Sequence, residues 1–119
     1  GNHIGDIGNA VQQYCEEKGY GVVRELTGHG IGKKMHEDPP VPNYGIAGRG
    51  VLLKDGMCIA IEPMITLGDR QIGLMPDKWG IITLDGKPAA HFEHTIAIHH
   101  GQADILSTFK EIELFEANK

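Results

Sequence analysis

The stretch Ile59-Ala60-Ile61-Glu62-Pro63-Met64 places a single carboxylate in an otherwise apolar run. The run favours a buried strand, in which an ionised carboxylate is costly unless it is paired or bound to a metal. Pro63 cannot donate to a strand ladder, so it indicates an edge or a bulge, where functional side chains are often aimed. We therefore expect Glu62 to have a functional partner, the alternative being a glutamate on a solvated strand face.

A second carboxylate, Glu93, stands in similar surroundings within Phe92-Glu93-His94-Thr95-Ile96. Apolar and other residues alternate from His91 to Ile98, which predicts a strand with Phe92 and Ile96 on one face and Glu93 on the other. The alternative for Glu93 is a cross-strand ion pair on a solvated face.

His29 is flanked by glycines in Gly28-His29-Gly30. Because glycine has no Cβ, a ligand or another strand can approach this backbone closely, and we expect 27–32 not to be regular structure throughout. The alternatives are a turn-capping role for His29 and a plain surface role for His36, which follows the glycine-rich segment. Four further histidines are interpreted mainly as surface residues: His91, His94, His99 and His100.

Two carboxylates and a histidine at these positions can converge if their strands are neighbours. Carboxylate oxygen and imidazole nitrogen are ligands that suit divalent transition metals such as Mn, Fe, Co or Zn. The residues alone therefore point to a hydrolytic metal site formed by His29, Glu62 and Glu93.

The remaining pattern predicts one N-terminal helix followed by several mostly antiparallel strands, which is an α+β chain. Apolar residues at helical spacing place the helix from about His3 to Lys18, with Asn2 as its N-cap. A two-residue hairpin is expected at Asp85-Gly86, and 38–50, rich in proline and glycine, is expected to be a loop. Further strands are expected at 20–26, at 57–65 with a break at Glu62-Pro63, and at 72–74, 79–84 and 105–108.

Composition narrows the function classes. The net charge of −5 argues against a general binder of nucleic acid or anionic membranes, which needs a basic surface. No apolar run approaches the roughly 20 residues of a membrane span, and no secretion signal is visible. Cys15 and Cys58 form no disulfide framework and are expected to be reduced, as in a cytoplasmic protein.

Four motifs follow one another along the chain: Thr27-Gly28-His29-Gly30-Ile31-Gly32, His36-Glu37-Asp38-Pro39, Ile61-Glu62-Pro63-Met64 and Phe92-Glu93-His94-Thr95. Together they resemble the second half of type I methionine aminopeptidases, and the resemblance covers essentially the whole chain. It implies a pita-bread fold, built from two pseudo-symmetric α/β halves with the site between them. By this resemblance, residues 1–119 are the C-terminal half of the catalytic domain, with the N-terminal half absent.

The resemblance also implies a ligand set. His29 and Glu62 bind one metal ion, Glu93 bridges two, and Glu62 carries a proton in catalysis. The family's other two ligands are aspartates of its first half, so the isolated chain is expected to be inactive.

Three residues are assigned to the substrate by the same resemblance. His36 is a catalytic residue that hydrogen-bonds the substrate near the scissile carbonyl. Trp79 closes the pocket for the methionine side chain, and Met35 belongs to that pocket at a position where the family often has phenylalanine.

The implied function is removal of the initiator methionine from nascent proteins, with two divalent ions (Co, Mn, Fe or Zn). Nascent polypeptide N-termini are the expected partners, near the ribosome in the cytoplasm, without nucleic acid or membrane. The missing half, or self-association of the chain, is expected to cover an exposed seam. Alternatives are an Xaa-Pro peptidase, whose motif usually reads Glu-Pro-Gly where Met64 stands here, and a non-catalytic pita-bread binding protein, against which the three retained ligands argue.

Overall fold

Two helices and ten short strands make up the chain in a computed structural model that describes residues 1–119. The predicted α+β class is therefore confirmed. The elements are α1 (Ile4–Glu16), β1 (Gly21–Val22), β2 (Gly28–Ile31), β3 (Glu37–Val41), β4 (Cys58–Ile61), β5 (Met64–Thr66), β6 (Ile72–Leu74), β7 (Ile81–Thr83), β8 (Ala89–His91), β9 (His94–His99), β10 (Gln102–Ile105) and α2 (Lys110–Ala117).

The strands form three sheets in which every pairing is antiparallel. The largest has the order β10-β9-β4-β2-β3, a second has the order β1-β5-β8, and β6 pairs with β7. One face of the five-stranded sheet carries the core, in which α1 also takes part. The core residues are Ile4, Val41, Ile59, Ile96 and Ile98.

Helix α1 begins one residue later than predicted, and its N-cap is His3 rather than Asn2. The backbone carbonyl of Asn2 accepts the N–H of Leu53 at 2.8 Å, which ties this residue to the segment before β4. The carboxylate of Asp6 secures the start of the helix, since Oδ2 accepts the N–H of His3 at 2.6 Å and Oδ1 accepts that of Gly48 at 2.7 Å.

Two predictions about irregular segments have different outcomes. As expected, 27–32 is not regular throughout, because only Gly28–Ile31 forms β2 and its pairing with β3 shifts register between His29 and Gly30. The loop predicted from 38 is wrong for its first residues, because β3 extends to Val41. Pro39 and Pro40 are compatible with a strand because β3 lies at the sheet edge and its pairing with β2 is irregular here, with a register shift between His29 and Gly30. Of the strand expected at 20–26, only Gly21–Val22 forms a strand, which is β1.

The break predicted at Glu62-Pro63 is confirmed, and it separates β4 and β5, which belong to different sheets. The hairpin predicted at Asp85-Gly86 is wrong. A turn is present, with Gly86 at φ 71°, but β7 pairs with β6 and β8 pairs with β5.

The end of the chain also differs from the prediction. The last strand is Gln102–Ile105 instead of 105–108, and the sequence analysis missed α2. The helix-forming residues of Lys110–Ala117 favour this helix, although none of its residues is buried. Neither helix has the length and apolar character that a membrane crossing requires.

Candidate metal centre

The three predicted metal ligands come together. The ligand atoms of His29, Glu62 and Glu93 all lie within 4.8 Å of one another. His29 belongs to β2, whereas Glu62 lies between β4 and β5 and Glu93 lies between β8 and β9. Both carboxylates therefore stand at breaks between strands. The break at Glu62 was predicted, whereas the expectation that Glu93 lies inside a strand is wrong.

Strand register explains why they meet. His29 pairs with Ala60, and Ile61 pairs with His94. Because side chains alternate along a strand, Glu62 points to the same side as Ala60, and Glu93 to the side opposite His94. The three ligands thus share one face of the five-stranded sheet, opposite the apolar core.

Glycines allow β2 to fit between its two neighbours. A Cβ on Gly28 would meet the carbonyl oxygen of Ala60, and a Cβ on Gly30 would meet that of Asp38. Larger residues would force β3 and β4 away from β2. The glycines that flank His29 therefore permit the close approach of β2 to its two neighbours.

His29 is oriented by its own backbone neighbour. Its Nδ1 lies 2.9 Å from the carbonyl oxygen of Gly30, so Nδ1–H donates to that oxygen. This bond turns Nε2 toward Glu62 and leaves Nε2 as the nitrogen available to a metal. The separation between His29 Nε2 and Glu62 Oε1 is 2.9 Å.

Glu62 is held at both its carboxylate and its backbone. Oε2 lies 3.2 Å from Nε2 of His91, and the backbone carbonyl accepts a hydrogen bond from Nδ2 of Asn43 at 2.9 Å. Asn43 is fully buried, while the Glu62 side chain is 14% exposed. The carboxylate is nearly enclosed, as expected for a group with dedicated partners.

Sequence reasoning missed His91 and Asn43. His91 was interpreted as a surface residue, but it stands two residues before Glu93, and this spacing was a usable signal that both face the same side. Asn43, a polar residue in the segment Val41-Pro42-Asn43-Tyr44, gave a weaker signal.

The substrate residues predicted from the resemblance lie in different surroundings. The His36 ring lies 4.2 Å from the His29 ring, measured between centroids, and borders a polar cleft of about 680 Å³ with His29 and Lys34. Met35 and Trp79 are 74% and 88% exposed. Neither borders that cleft or the apolar pocket of about 310 Å³ that reaches His91.

Residues 1–100 match the model of metallopeptidase family M24. The chain belongs to this family. Membership in this family implies use of a divalent metal, and carboxylate and imidazole groups such as the three that converge here are suitable ligands for one.

Relatives and solved structures agree with this placement. Methionine aminopeptidase of Clostridium perfringens is 49% identical over 109 residues, which is 92% of this chain and 44% of the relative. Methionine aminopeptidase 1 of Bacillus subtilis is 48% identical over 107 residues, 90% of this chain and 43% of the relative. The crystal structure of methionine aminopeptidase from Thermotoga maritima matches with a TM-score of 0.88 at 45% identity, covering 91% of this chain and 43% of that one. The resemblance to methionine aminopeptidases and their pita-bread fold is confirmed, and the chain spans less than half the length of these relatives.

The residues present fit a divalent ion. Two ligand atoms about 2.1 Å from one ion and at a right angle lie about 3 Å apart, which is close to the 2.9 Å between His29 Nε2 and Glu62 Oε1. One imidazole and two carboxylates form a donor set that a first-row divalent metal accepts. The donors are already gathered on one face of a sheet.

Proposed function

We propose that this chain is the C-terminal half of the catalytic domain of a methionine aminopeptidase, which removes the initiator methionine from nascent proteins. The observation that carries the proposal is the convergence of His29, Glu62 and Glu93 within 4.8 Å. The names of the relatives supply the reaction and the substrate.

The ligand roles are those that the family resemblance implies. His29 and Glu62 would hold one ion, with Nε2 of His29 and Oε1 of Glu62 already 2.9 Å apart, and Glu93 would be a ligand shared with a second ion. Two further ligands, aspartates by resemblance, come from the part of the relatives that this chain does not span. Mn, Fe, Co and Zn all suit this donor set.

When bound, the metal supplies Lewis acidity, which polarises the scissile carbonyl and makes a water molecule easier to deprotonate. Glu62 accepts a proton from the attacking water and delivers it to the leaving amine as the peptide C–N bond breaks. His36 borders the cleft beside His29 and donates a hydrogen bond to the substrate carbonyl. The products are free methionine and a polypeptide shortened by one residue.

Met35 and Trp79 are assigned to the methionine side chain. Both are mostly exposed, so their apolar surfaces are available to a substrate. The substrates are N-termini of nascent polypeptides, which places the reaction in the cytoplasm near the ribosome. Neither nucleic acid nor membrane is part of this function.

A chimera tests the proposal directly. This chain is substituted for the matching part of the Clostridium perfringens enzyme, and release of methionine from a Met-Ala-Ser peptide is measured with Mn²⁺ or Co²⁺. We expect turnover by the chimera, none after His29→Ala, and retained turnover after His99→Ala, which changes an exposed histidine elsewhere.

A folded chimera without turnover would contradict the proposed function. Cleavage of an Ala-Pro peptide in place of Met-Ala-Ser would favour the Xaa-Pro peptidase alternative. Metal binding without cleavage of either peptide would favour a non-catalytic relative.

A further inference from the structure

The Glu62 carboxylate lies between two imidazole rings. Its Oε1 faces Nε2 of His29 at 2.9 Å, and its Oε2 faces Nε2 of His91 at 3.2 Å. Each oxygen therefore has its own partner, and rotation of the carboxylate about its last side-chain bond would break both contacts. The two histidines have different surroundings, since the side chain of His29 is 15% exposed and that of His91 is 49% exposed.

His91 is not one of the converging ligands. The group whose ligand atoms all lie within 4.8 Å of one another contains His29, Glu62 and Glu93 only. His91 thus contacts the site through Glu62, on the oxygen that faces away from His29. This is the position of a residue that orients a ligand rather than of a ligand itself.

The backbone fixes His91 relative to Glu62. His91 ends β8 and pairs with Met64 in β5, two residues beyond Glu62. The N–H of Phe92 donates to the carbonyl of Pro63 at 3.1 Å. His91 therefore comes from the three-stranded sheet, while His29 comes from the five-stranded one, and Glu62 lies where the two sheets meet.

We propose that His91 is a positioning residue for Glu62. Its Nε2–H holds Oε2, so that Oε1 stays directed at the side where His29 and Glu93 offer their ligand atoms. This inference rests on the proposed function, because it takes the three converging residues as metal ligands. The contact requires a hydrogen-bond donor about as far from the backbone as Nε2 of histidine. The side-chain amide of glutamine places an uncharged donor at that distance.

Metal binding by the full chain tests the role of His91. Isothermal titration with Co²⁺ gives the affinity, and the visible absorption of bound Co²⁺ reports ligand geometry independently of activity. Removal of an outer-shell partner typically weakens metal affinity roughly 10–100-fold, and we expect this loss, with a changed Co²⁺ spectrum, for His91→Ala and His91→Leu. We expect His91→Gln to restore both properties nearly to those of the wild type.

Control measurements distinguish a loss of folding, a failure of this inference and a failure of the proposed function. His99→Ala should leave affinity and spectrum unchanged, and thermal unfolding without metal shows whether each variant is folded. Unchanged Co²⁺ affinity and spectrum in folded His91→Ala or His91→Leu would overturn this inference but not the proposed function. A folded His91→Gln variant that binds Co²⁺ as weakly as those two variants would have the same consequence. A wild-type chain that binds no Co²⁺ would overturn the proposed function and this inference with it.

Discussion

Nε2 of His29 and Oε1 of Glu62 lie 2.9 Å apart, although one residue belongs to β2 and the other follows β4. The contact depends on how closely β2 and β4 approach, because the partner of His29 across the ladder is Ala60 and Glu62 stands two residues beyond it. The glycines that flank His29 permit this approach. The geometry of the site is thus a consequence of strand packing.

Replacing either flanking glycine should destabilise the chain and the site together. A Cβ at Gly28 or Gly30 would meet a backbone carbonyl of a neighbouring strand, and overpacking typically costs about 1–3 kcal/mol or more. Gly19→Ala is a control, because it has open space and only the strain of φ 82°. Urea unfolding and Co²⁺ titration should show lost stability and weaker metal binding for Gly28→Ala and Gly30→Ala. Metal affinity equal to that of Gly19→Ala would contradict the packing argument.

Asn43 should affect the metal centre through the backbone of Glu62. Removing its amide in Asn43→Ala leaves the Glu62 carbonyl without its donor, which for a buried group costs about 1–3 kcal/mol. Asn9 is a matched control, because its Nδ2 also donates to a backbone carbonyl, that of Gly45 at 3.0 Å. Chemical unfolding should show a loss in both variants, but titration calorimetry should show weaker Co²⁺ binding only for Asn43→Ala. Equal effects of the two variants on Co²⁺ affinity would count against this role of Asn43.

Acid should weaken the attachment at the start of α1. The backbone N–H groups of His3 and then Gly48 donate to Asp6 and hold the pKa of its carboxyl below the ordinary value of 3.8. A carboxyl with a lowered pKa stabilises the folded state above its unfolded pKa, and this contribution is lost as pH falls through the folded pKa. Below about pH 4 the wild type should therefore lose stability more steeply than Asp6→Asn. Thermal unfolding between neutral and acidic pH measures this difference, and parallel curves would refute it.

The convergence of the three candidate ligands was predictable because an ionised carboxylate in an apolar sequence needs a partner. Glu62 stands in an apolar run, and its partners His29 and Glu93 were identified from similar local contrasts. The break between β4 and β5 was predicted from Pro63, but the break between β8 and β9 was not. The alternation from His91 to Ile98 was interpreted as one strand, whereas the chain changes sheets at Phe92 and Glu93. Alternation places His91 on the side of Glu93, but it does not show that His91 reaches Glu62 from the three-stranded sheet.

The hairpin at Asp85-Gly86 was predicted wrongly for a similar reason. Asp85-Gly86 does form a turn, but the partner of each flanking strand is chosen by contacts distant in sequence. Oδ2 of Asp85 accepts the backbone N–H of Asp69 at 2.8 Å, and this bond ties the turn to another loop. Local residues predicted the turn, whereas strand pairing depended on tertiary packing.

The 119-residue chain should self-associate when studied alone. An apolar groove lies between α1 and the segment around Pro63, where Tyr14 is 65% and Phe92 is 55% exposed. Apolar surfaces of this kind rarely remain uncovered on a monomer. Light scattering over a concentration series should show growth in mass, and Tyr14→Glu should reduce it. A folded monomer at high micromolar concentration would disprove this expectation.

Direct titration of the chain with Mn²⁺ or Co²⁺ tests the central claim that His29, Glu62 and Glu93 form one metal centre. Calorimetry should show a metal site in the wild type and in His99→Ala. Each of His29→Ala, Glu62→Gln and Glu93→Gln should weaken binding by more than the roughly 10–100-fold typical of an outer-shell change. Wild-type affinity in any one of these three variants, with its fold intact, would contradict the assignment of that residue as a ligand and with it the single centre.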